Sequence, residues 1–371
     1  MSIKDDLQIV LITYNRAVLL KRTLETIMGD DSPIRDFDIT ILDNHSTDET
    51  CDIVKQFAQN HQNLKYEKNI HNLGLNGNII KAYLAGRKKY VWVLCDDDSY
   101  DFSHWDDVVA AIQNDEDYIL VSRYALPDDH KDDPAHIFMQ ASFVPASIIK
   151  TSLITDAVAR NMIETSETLF PHLNIIATMI NTHKKICVMK HGIVDHGLEV
   201  ELTDYSYTRG HNPKDLTKTV SHMTWTHGFS LILQQIKDRE LQIRCFNAAI
   251  EQPDIFNGNW ASFYNHIVKI YHEPQFWSAF YDVYAILDDQ HGKELLNTLF
   301  SQYPEIKKTL EIKGGFVSTE TICERISKLE ITLPLKRPNF LERQRIRFLS
   351  HITFGKTKAR YKAKWLKLKY K

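Results

Sequence analysis

Tyr90-Val91-Trp92-Val93-Leu94-Cys95-Asp96-Asp97-Asp98 is the stretch on which the reading of this chain turns. Its apolar half has the length and the aromatic and β-branched content of a buried strand. It runs without a break into three carboxylates. Adjacent carboxylates at the end of a buried strand repel one another and are costly to desolvate. A divalent cation relieves that cost, and hard Mg2+ or Mn2+ favours one or two carboxylates completed by phosphate oxygens and water. A solvated acidic loop would show the same residues, so the triplet alone leaves both readings open.

Upstream, strand and helix signals alternate. Leu7 to Thr13 is a short apolar run, and Leu20, Leu24, Ile27 and Met28 follow at helical spacing with Gly29 placed to cap. Phe37 to Leu42 reads as a second strand, Thr47-Asp48-Glu49 opens a helix to about Ala58, and Tyr66 lies in a short strand. Ile79 to Lys88 is expected to be helical, and Asp117 to Ser122 to be the strand after the acidic triplet. This order predicts an α/β fold, a mainly parallel sheet with helices on both faces. Such sheets bind ligands beyond the carboxyl ends of their strands. Thr13-Tyr14-Asn15-Arg16, Asp43-Asn44-His45-Ser46-Thr47-Asp48 and Asp96-Asp97-Asp98 should therefore converge. Asp43 could accept the ring N–H of a uracil or thymine. The same stretch could be a plain strand-to-helix turn capped by Asp48, and the two roles are compatible.

These blocks, with Asn72, Gly74 and Asn78 spaced Asn-x-Gly-x-x-x-Asn between them, resemble family 2 glycosyltransferases of the GT-A fold over roughly residues 7 to 200. The resemblance implies a nucleotide-sugar site, with UDP as the expected carrier. Thr13, Tyr14, Asn15 and Arg16 would line the nucleoside pocket, Asp43 would read the base, and Asn72, Gly74 and Asn78 would pack beside base and ribose. Asp96 and Asp97 would lie toward the ribose and sugar, and Asp98, helped by Asp96, would hold Mn2+ or Mg2+. In this family the cation bridges the two phosphates and offsets the charge on the departing nucleoside diphosphate. His191 and His196, each before a glycine, either complete the metal shell or are hydrogen-bonded loop residues. Arg209, in the loop Asp204 to His211, is the expected cation closing over the diphosphate.

An inverting transferase also needs a group to take the proton of the acceptor hydroxyl. The family supplies it from a Glu-Asp pair at the start of a helix. The matching region reads Glu164-Thr165-Ser166-Glu167-Thr168-Leu169-Phe170-Pro171-His172-Leu173, which has no such pair. Pro171 suits a first helical turn. Glu167 is the first choice of base, followed by Glu164 and by His172, which is read ahead of that as a polar residue of the first helical turn. The Gln-x-x-Arg-Trp signature of processive members is missing, so transfer of a single sugar to a glycan or lipid-linked glycan is expected. Bacterial lipopolysaccharide or capsule is the destination the resemblance implies. A sugar nucleotidyltransferase is a rival, disfavoured because no glycine precedes Gly29. A non-catalytic nucleotide-binding scaffold is another, kept open by the missing Glu-Asp pair.

Beyond about Asp215 helical stretches dominate, notably Leu216 to Ile250 and Trp260 to Phe300. The expected organisation is a GT-A domain over 1–210, a helical domain over 211–335 and a basic amphipathic tail over 336–371. That tail carries thirteen Lys or Arg against the single acid Glu342, in a chain of net charge −3. Tyr361, Trp365 and Leu368 fall on one helical face among the lysines, which suits an anionic membrane surface. Packing of the tail on the acidic body is the alternative. No recognised nucleic-acid module accompanies it, and no nucleic-acid partner is expected. No apolar run approaches the ~18 to 20 residues of a membrane span. The N-terminal apolar run is too short for a secretory signal. The five cysteines are scattered and form no Cys-x-x-Cys pair, which predicts reduced thiols. The expected location is cytoplasmic, peripheral on the inner face of the cell membrane.

Overall fold

The computed structural model describes residues 3–121, 131–195, 217–251, 256, 258–269, 276–304 and 306. Strands β1 (Leu7–Thr13), β2 (Ile39–Asp43), β3 (Leu64–Lys68) and β4 (Tyr90–Cys95) are followed by the short β5 (Ser99–Tyr100). Then come β6 (Tyr118–Leu120), β7 (Ser147–Lys150), β8 (Ile186–Val188) and β9 (Val194–Asp195). Seven of them form one sheet in the order β3-β2-β1-β4-β7-β6-β8, and β5 pairs with β9 in a second, two-stranded one. All neighbours in the large sheet are parallel except β7, which is antiparallel to both β4 and β6.

Strand side chains alternate between two cores, as the period of two requires. Ile9, Leu11, Trp92 and Leu94 face one core, and Val10, Ile12, Val91 and Val93 face the other. The first core is closed by Leu20, Leu24 and Ile27 of helix Ala17–Ile27, Val54 of Thr50–Ala58, and Trp105, Val108 and Ile112 of Trp105–Gln113. Helix Ala17–Ile27 stops at Met28, and Gly29 follows it as expected; a Cβ on Gly29 would sit 2.8 Å from the Glu25 carbonyl oxygen.

The second core begins with helix Gly74–Leu84 and does not end at the N-terminal half. Phe229, Phe246, Phe263, Phe280 and Leu299 belong to the same buried cluster as Val10 and Val93. Arg244 pairs with Asp133, and Asn181 donates to the Gln235 carbonyl at 2.8 Å. The described part of the expected helical domain thus shares one core with the sheet. The boundary near residues 205–215 and the tail 336–371 lie outside the described residues.

The strand expected at Asp117–Ser122 forms as β6, and β7, which the sequence did not announce, lies between it and β4. Ser147-Ile148-Ile149-Lys150 is too short to stand out by pattern. It is fixed by burial of Ile148 and Ile149 on opposite faces and by Lys150, which donates to Asp117 at 2.9 Å. Leu216 to Ile250 is not continuous: it splits into Thr217–Leu233 and Arg239–Ile250, with Asp238 accepting from Glu240 N and Leu241 N. Trp260 to Phe300 divides likewise into Trp260–Lys269, Phe276–Ile286 and Asp289–Gln302, the last capped by Asp288. Among the described residues no helix is long and apolar enough to cross a membrane, and Cys51, Cys95, Cys187 and Cys245 are free thiols.

Candidate functional site

Strand β1 lies between β2 and β4, with Thr13 opposite Asp43 and Ile12 opposite Cys95. The three polar clusters therefore leave the sheet at one edge and meet. The Thr13 hydroxyl donates to Asp96 Oδ2 at 2.6 Å, and Arg16 Nη1 reaches Asp96 Oδ1 at 3.1 Å and Asp97 Oδ2 at 2.6 Å. Thr23, two helical turns beyond the first loop, donates to the Asp96 carbonyl at 2.8 Å. Asp96 is only 2% exposed. Burial pushes its carboxyl up to about 6; Arg16 works against that shift and neighbouring Asp97 adds to it.

The loops after β1 and β2 hold each other. Asn15 takes a left-handed φ of 51°, which Asn tolerates better than most residues. Its N–H donates to Ser46 Oγ at 2.8 Å, and its side-chain oxygen accepts from Thr47 N at 2.7 Å. Asp48 serves two helix starts, accepting from Ala17 N at 3.1 Å through one oxygen and from Thr50 N at 3.1 Å through the other. Tyr14 is the exposed member of the first loop, at 38%. Asp43 lies at the end of β2 as expected but is fully buried, and both its oxygens are used internally. Oδ1 accepts from Ser46 N at 2.8 Å and Oδ2 from the Tyr66 hydroxyl at 2.5 Å.

Asn72, Gly74 and Asn78 act as scaffold around Asn44. Asn44 donates to Asn72 Oδ1 at 2.8 Å and to the Gly74 carbonyl at 3.0 Å, and accepts from Leu73 N at 2.8 Å. Asn69 links Asn44 to the buried Asn78, with bonds of 3.0 and 2.9 Å. Gly74 takes φ +74°, a left-handed value that glycine adopts without a steric penalty. Tyr66 and Asn69 were not singled out by sequence as site residues, and Asn44 was named only as a member of the Asp43–Asp48 cluster. The Asp-Asn pair after β2 was the available signal for Asn44.

Among the described residues, Cys95 with Asp97 and Asp98 forms a group whose ligand atoms lie within 4.8 Å of one another. Two expected metal ligands are not in it. Asp96 has its oxygens taken by Thr13 and Arg16, and His191 instead stacks on His104, ring centroids 4.0 Å apart. Burial, with the three aspartates nearby, pushes the Cys95 thiol well above its ordinary value and keeps it protonated. The carboxylates of Asp97 and Asp98 are hard oxygen donors that fit Mg2+ or Mn2+ sharing phosphate and water, whereas a thiol is a soft ligand.

Glu164 ends helix Asp156–Glu164, and both it and Glu167 are exposed. Asn76 Nδ2 donates to the Ser166 carbonyl at 2.9 Å and also to that of Thr168, clasping the turn that carries Glu167. His172 is a correction. It is 1% exposed, stacks on Tyr83, and points Nε2 at the carbonyls of Ala141 and Ser142, each 3.1 Å away. Burial lowers its pKa to about 4, and the ring is a neutral donor inside the core rather than a base facing an acceptor. Arg209 and His196 lie outside the described residues.

Residues 8–171 match the family model described as Glycosyl transferase family 2. Validoxylamine A glucosyltransferase of Streptomyces hygroscopicus subsp. jinggangensis is 43% identical over 51 residues, 14% of this chain and 12% of that protein. GalNAc(5)-diNAcBac-PP-undecaprenol beta-1,3-glucosyltransferase of Campylobacter jejuni is 30% identical over 93 residues, 25% of this chain and 29% of that one. The chain thus spans well under half the length of these curated relatives. The crystal structure of S. aureus TarS 1-349 in complex with UDP-GlcNAc superposes with a TM-score of 0.59 at 15% identity, covering 85% of this chain and 95% of that one. By the family match and the sheet that carries it, residues 8–171 form a family 2 glycosyltransferase domain of the GT-A fold.

Proposed function

We propose that the chain transfers one sugar from a nucleotide sugar, a UDP-sugar by preference, to a hydroxyl of a glycan or lipid-linked glycan. Transfer inverts the anomeric carbon and serves bacterial surface polysaccharide synthesis, of the lipopolysaccharide or capsule kind. The observation that carries this reading is the meeting of Thr13, Arg16, Asp43 and the Asp96–Asp98 triplet beyond the ends of three adjacent parallel strands. The TarS structure of similar fold holds UDP-GlcNAc, which supports the donor class. The Campylobacter relative carries an undecaprenol-linked glycan in its name, which supports the acceptor class.

In this reading the acceptor hydroxyl gives its proton to Glu167 as its oxygen bonds to the anomeric carbon. The bond from that carbon to the phosphate oxygen breaks, and its electron pair leaves with the nucleoside diphosphate. Asp97 and Asp98 would hold Mn2+ or Mg2+, a Lewis acid that offsets the leaving charge. Arg16 pairs with Asp96 and Asp97 and keeps them oriented. The basic tail 336–371 would attach the protein to the anionic inner face of the cell membrane. A panel of nucleotide sugars, scored by thermal shift with and without Mn2+, tests the reading. UDP should raise the melting temperature and Mn2+ should enlarge the rise, since a ligand stabilises by its affinity and concentration. No shift with any pyrimidine nucleotide at millimolar concentration defeats it.

A further inference from the structure

We infer that Asn76 is a positioning residue that sets the backbone on both sides of Glu167; this rests on reading Glu167 as the base. The amide of Asn76 crosses 90 residues of sequence to donate to Ser166 O and also reaches Thr168 O. Those carbonyls flank Glu167. The turn is pinned from other sides as well. Thr168 is 3% exposed, its hydroxyl donates to Thr165 O at 2.8 Å, and Asn174 holds Thr165 Oγ1 at 2.7 Å. Gly228 of helix Thr217–Leu233 lies against it so closely that a Cβ there would meet Thr168 Cβ at 3.0 Å. The backbone is fixed while the Glu167 carboxylate stays in solvent.

The other end of the clasp is anchored at the proposed donor site. Asn76 lies in the first turn of helix Gly74–Leu84, whose start is tied to Asn44, and Asn44 N donates to Thr13 O at 2.9 Å. A chain of hydrogen bonds therefore runs from Thr13 to the two peptides around Glu167. Only the N–H side of the amide is used: Asn76 Oδ1 is buried with no hydrogen-bond partner, and the two donated bonds are what an alanine would lose. What Asn76 adds is a fixed distance between the strand-end loops and the base.

The test compares Asn76→Ala, the isosteric Asn76→Asp, Glu167→Gln and the double variant Asn76→Ala/Glu167→Gln by kcat, donor KM and thermal unfolding. Asn76→Ala should lower kcat by about 10²-fold, the usual penalty for a misplaced catalytic group, with donor KM little changed. Asn76→Asp, which keeps the shape and loses the N–H, should fall as far. Adding Asn76→Ala to Glu167→Gln should cost nothing more, because the positioned group is already gone. If Glu167→Gln is harmless, the reading of the base fails. If Glu167→Gln is crippling while Asn76→Ala keeps its kcat, or the two losses multiply in the double variant, the positioning role fails. Should Asn76→Ala lose its thermal transition, Asn76→Ser supplies the same comparison.

Discussion

The Tyr66 hydroxyl donates to Asp43 at 2.5 Å, across paired strands, and so occupies one oxygen of a fully buried carboxylate. Burial and Asp43 together push the phenol above its ordinary range, so it stays a donor. A hydrogen bond to a charged group is worth about 1.5–3 kcal/mol. Tyr66→Phe should lose about that much stability in urea, with the midpoint falling and the slope unchanged. Asp43 keeps its bond from Ser46 N, so UDP affinity should stay within a few-fold of wild type. A large loss of affinity in a folded variant would mean that Tyr66 itself touches the nucleotide.

Asp98→Asn should abolish turnover and remove the metal dependence of nucleotide binding while leaving the fold intact. The amide lacks the charge that a hard cation needs. Cys95→Ser should keep that metal dependence, because hard Mg2+ or Mn2+ favours the carboxylate oxygens of Asp97 and Asp98 over a soft thiol. Calorimetric titration of Mn2+ in the presence of UDP reads both. Near-normal activity in Asp98→Asn would show that Asp98 does not hold a catalytic metal.

His172 makes stability depend on pH. Its pKa is about 4 when folded, against 6.5 for the free side chain, so between these values the unfolded chain binds more protons. Its contribution is complete above about pH 6.5 and declines as pH falls toward 4, by at most about 1.4 kcal/mol per unit. Subtracting the denaturation curves of His172→Gln from those of wild type over this window isolates the slope. Equal slopes in the two proteins would show that His172 titrates normally.

Glu167→Gln should cut kcat by about 10² to 10⁴-fold with donor affinity nearly unchanged, the signature of a group acting on a proton in the transition state. Steady-state kinetics with saturating donor measures it. If Glu164→Gln is the damaging change instead, the base belongs one turn earlier.

Deleting the residues after Gly355 should release the protein from anionic vesicles and spare nucleotide binding. The segment holds seven Lys, one Arg and no acid. Each cation is worth about 1 kcal/mol near a negative leaflet. Salt should weaken the attachment of the full chain, since the charge component is screened beyond about 8–10 Å. Indifference of the full chain to anionic vesicles at low salt would send the tail back to the acidic body or to a protein partner.

The strands β1, β2 and β4 and the meeting of their terminal loops were legible in sequence, because a continuous apolar run ending in polar residues is what a buried parallel strand looks like. The partnerships inside the loops were not. Nothing local says that Asp96 will spend its carboxylate on Thr13 and Arg16, 83 and 80 residues away. His191 looked like a ligand by its neighbourhood in sequence, and its stacking on His104 is set only by the pairing of β5 with β9. His172 was readable as either a base or a turn residue. Burial decided it, and burial depends on Tyr83 and the Ala141–Ser142 turn, neither of which is nearby in sequence.

The buried cluster that joins Val10 and Val93 to Phe229, Phe246 and Phe280 bears on how the protein can be made. A fragment ending near residue 210 would keep the strands and the site loops. It would also uncover the faces of helices Leu173–Asn181 and Pro134–Gln140 on which helices Thr217–Leu233 and Arg239–Ile250 pack. Large bare apolar faces drive association, and long-range sheets are already slow to complete. Expressed without those helices, the first half should therefore associate more readily than the full chain.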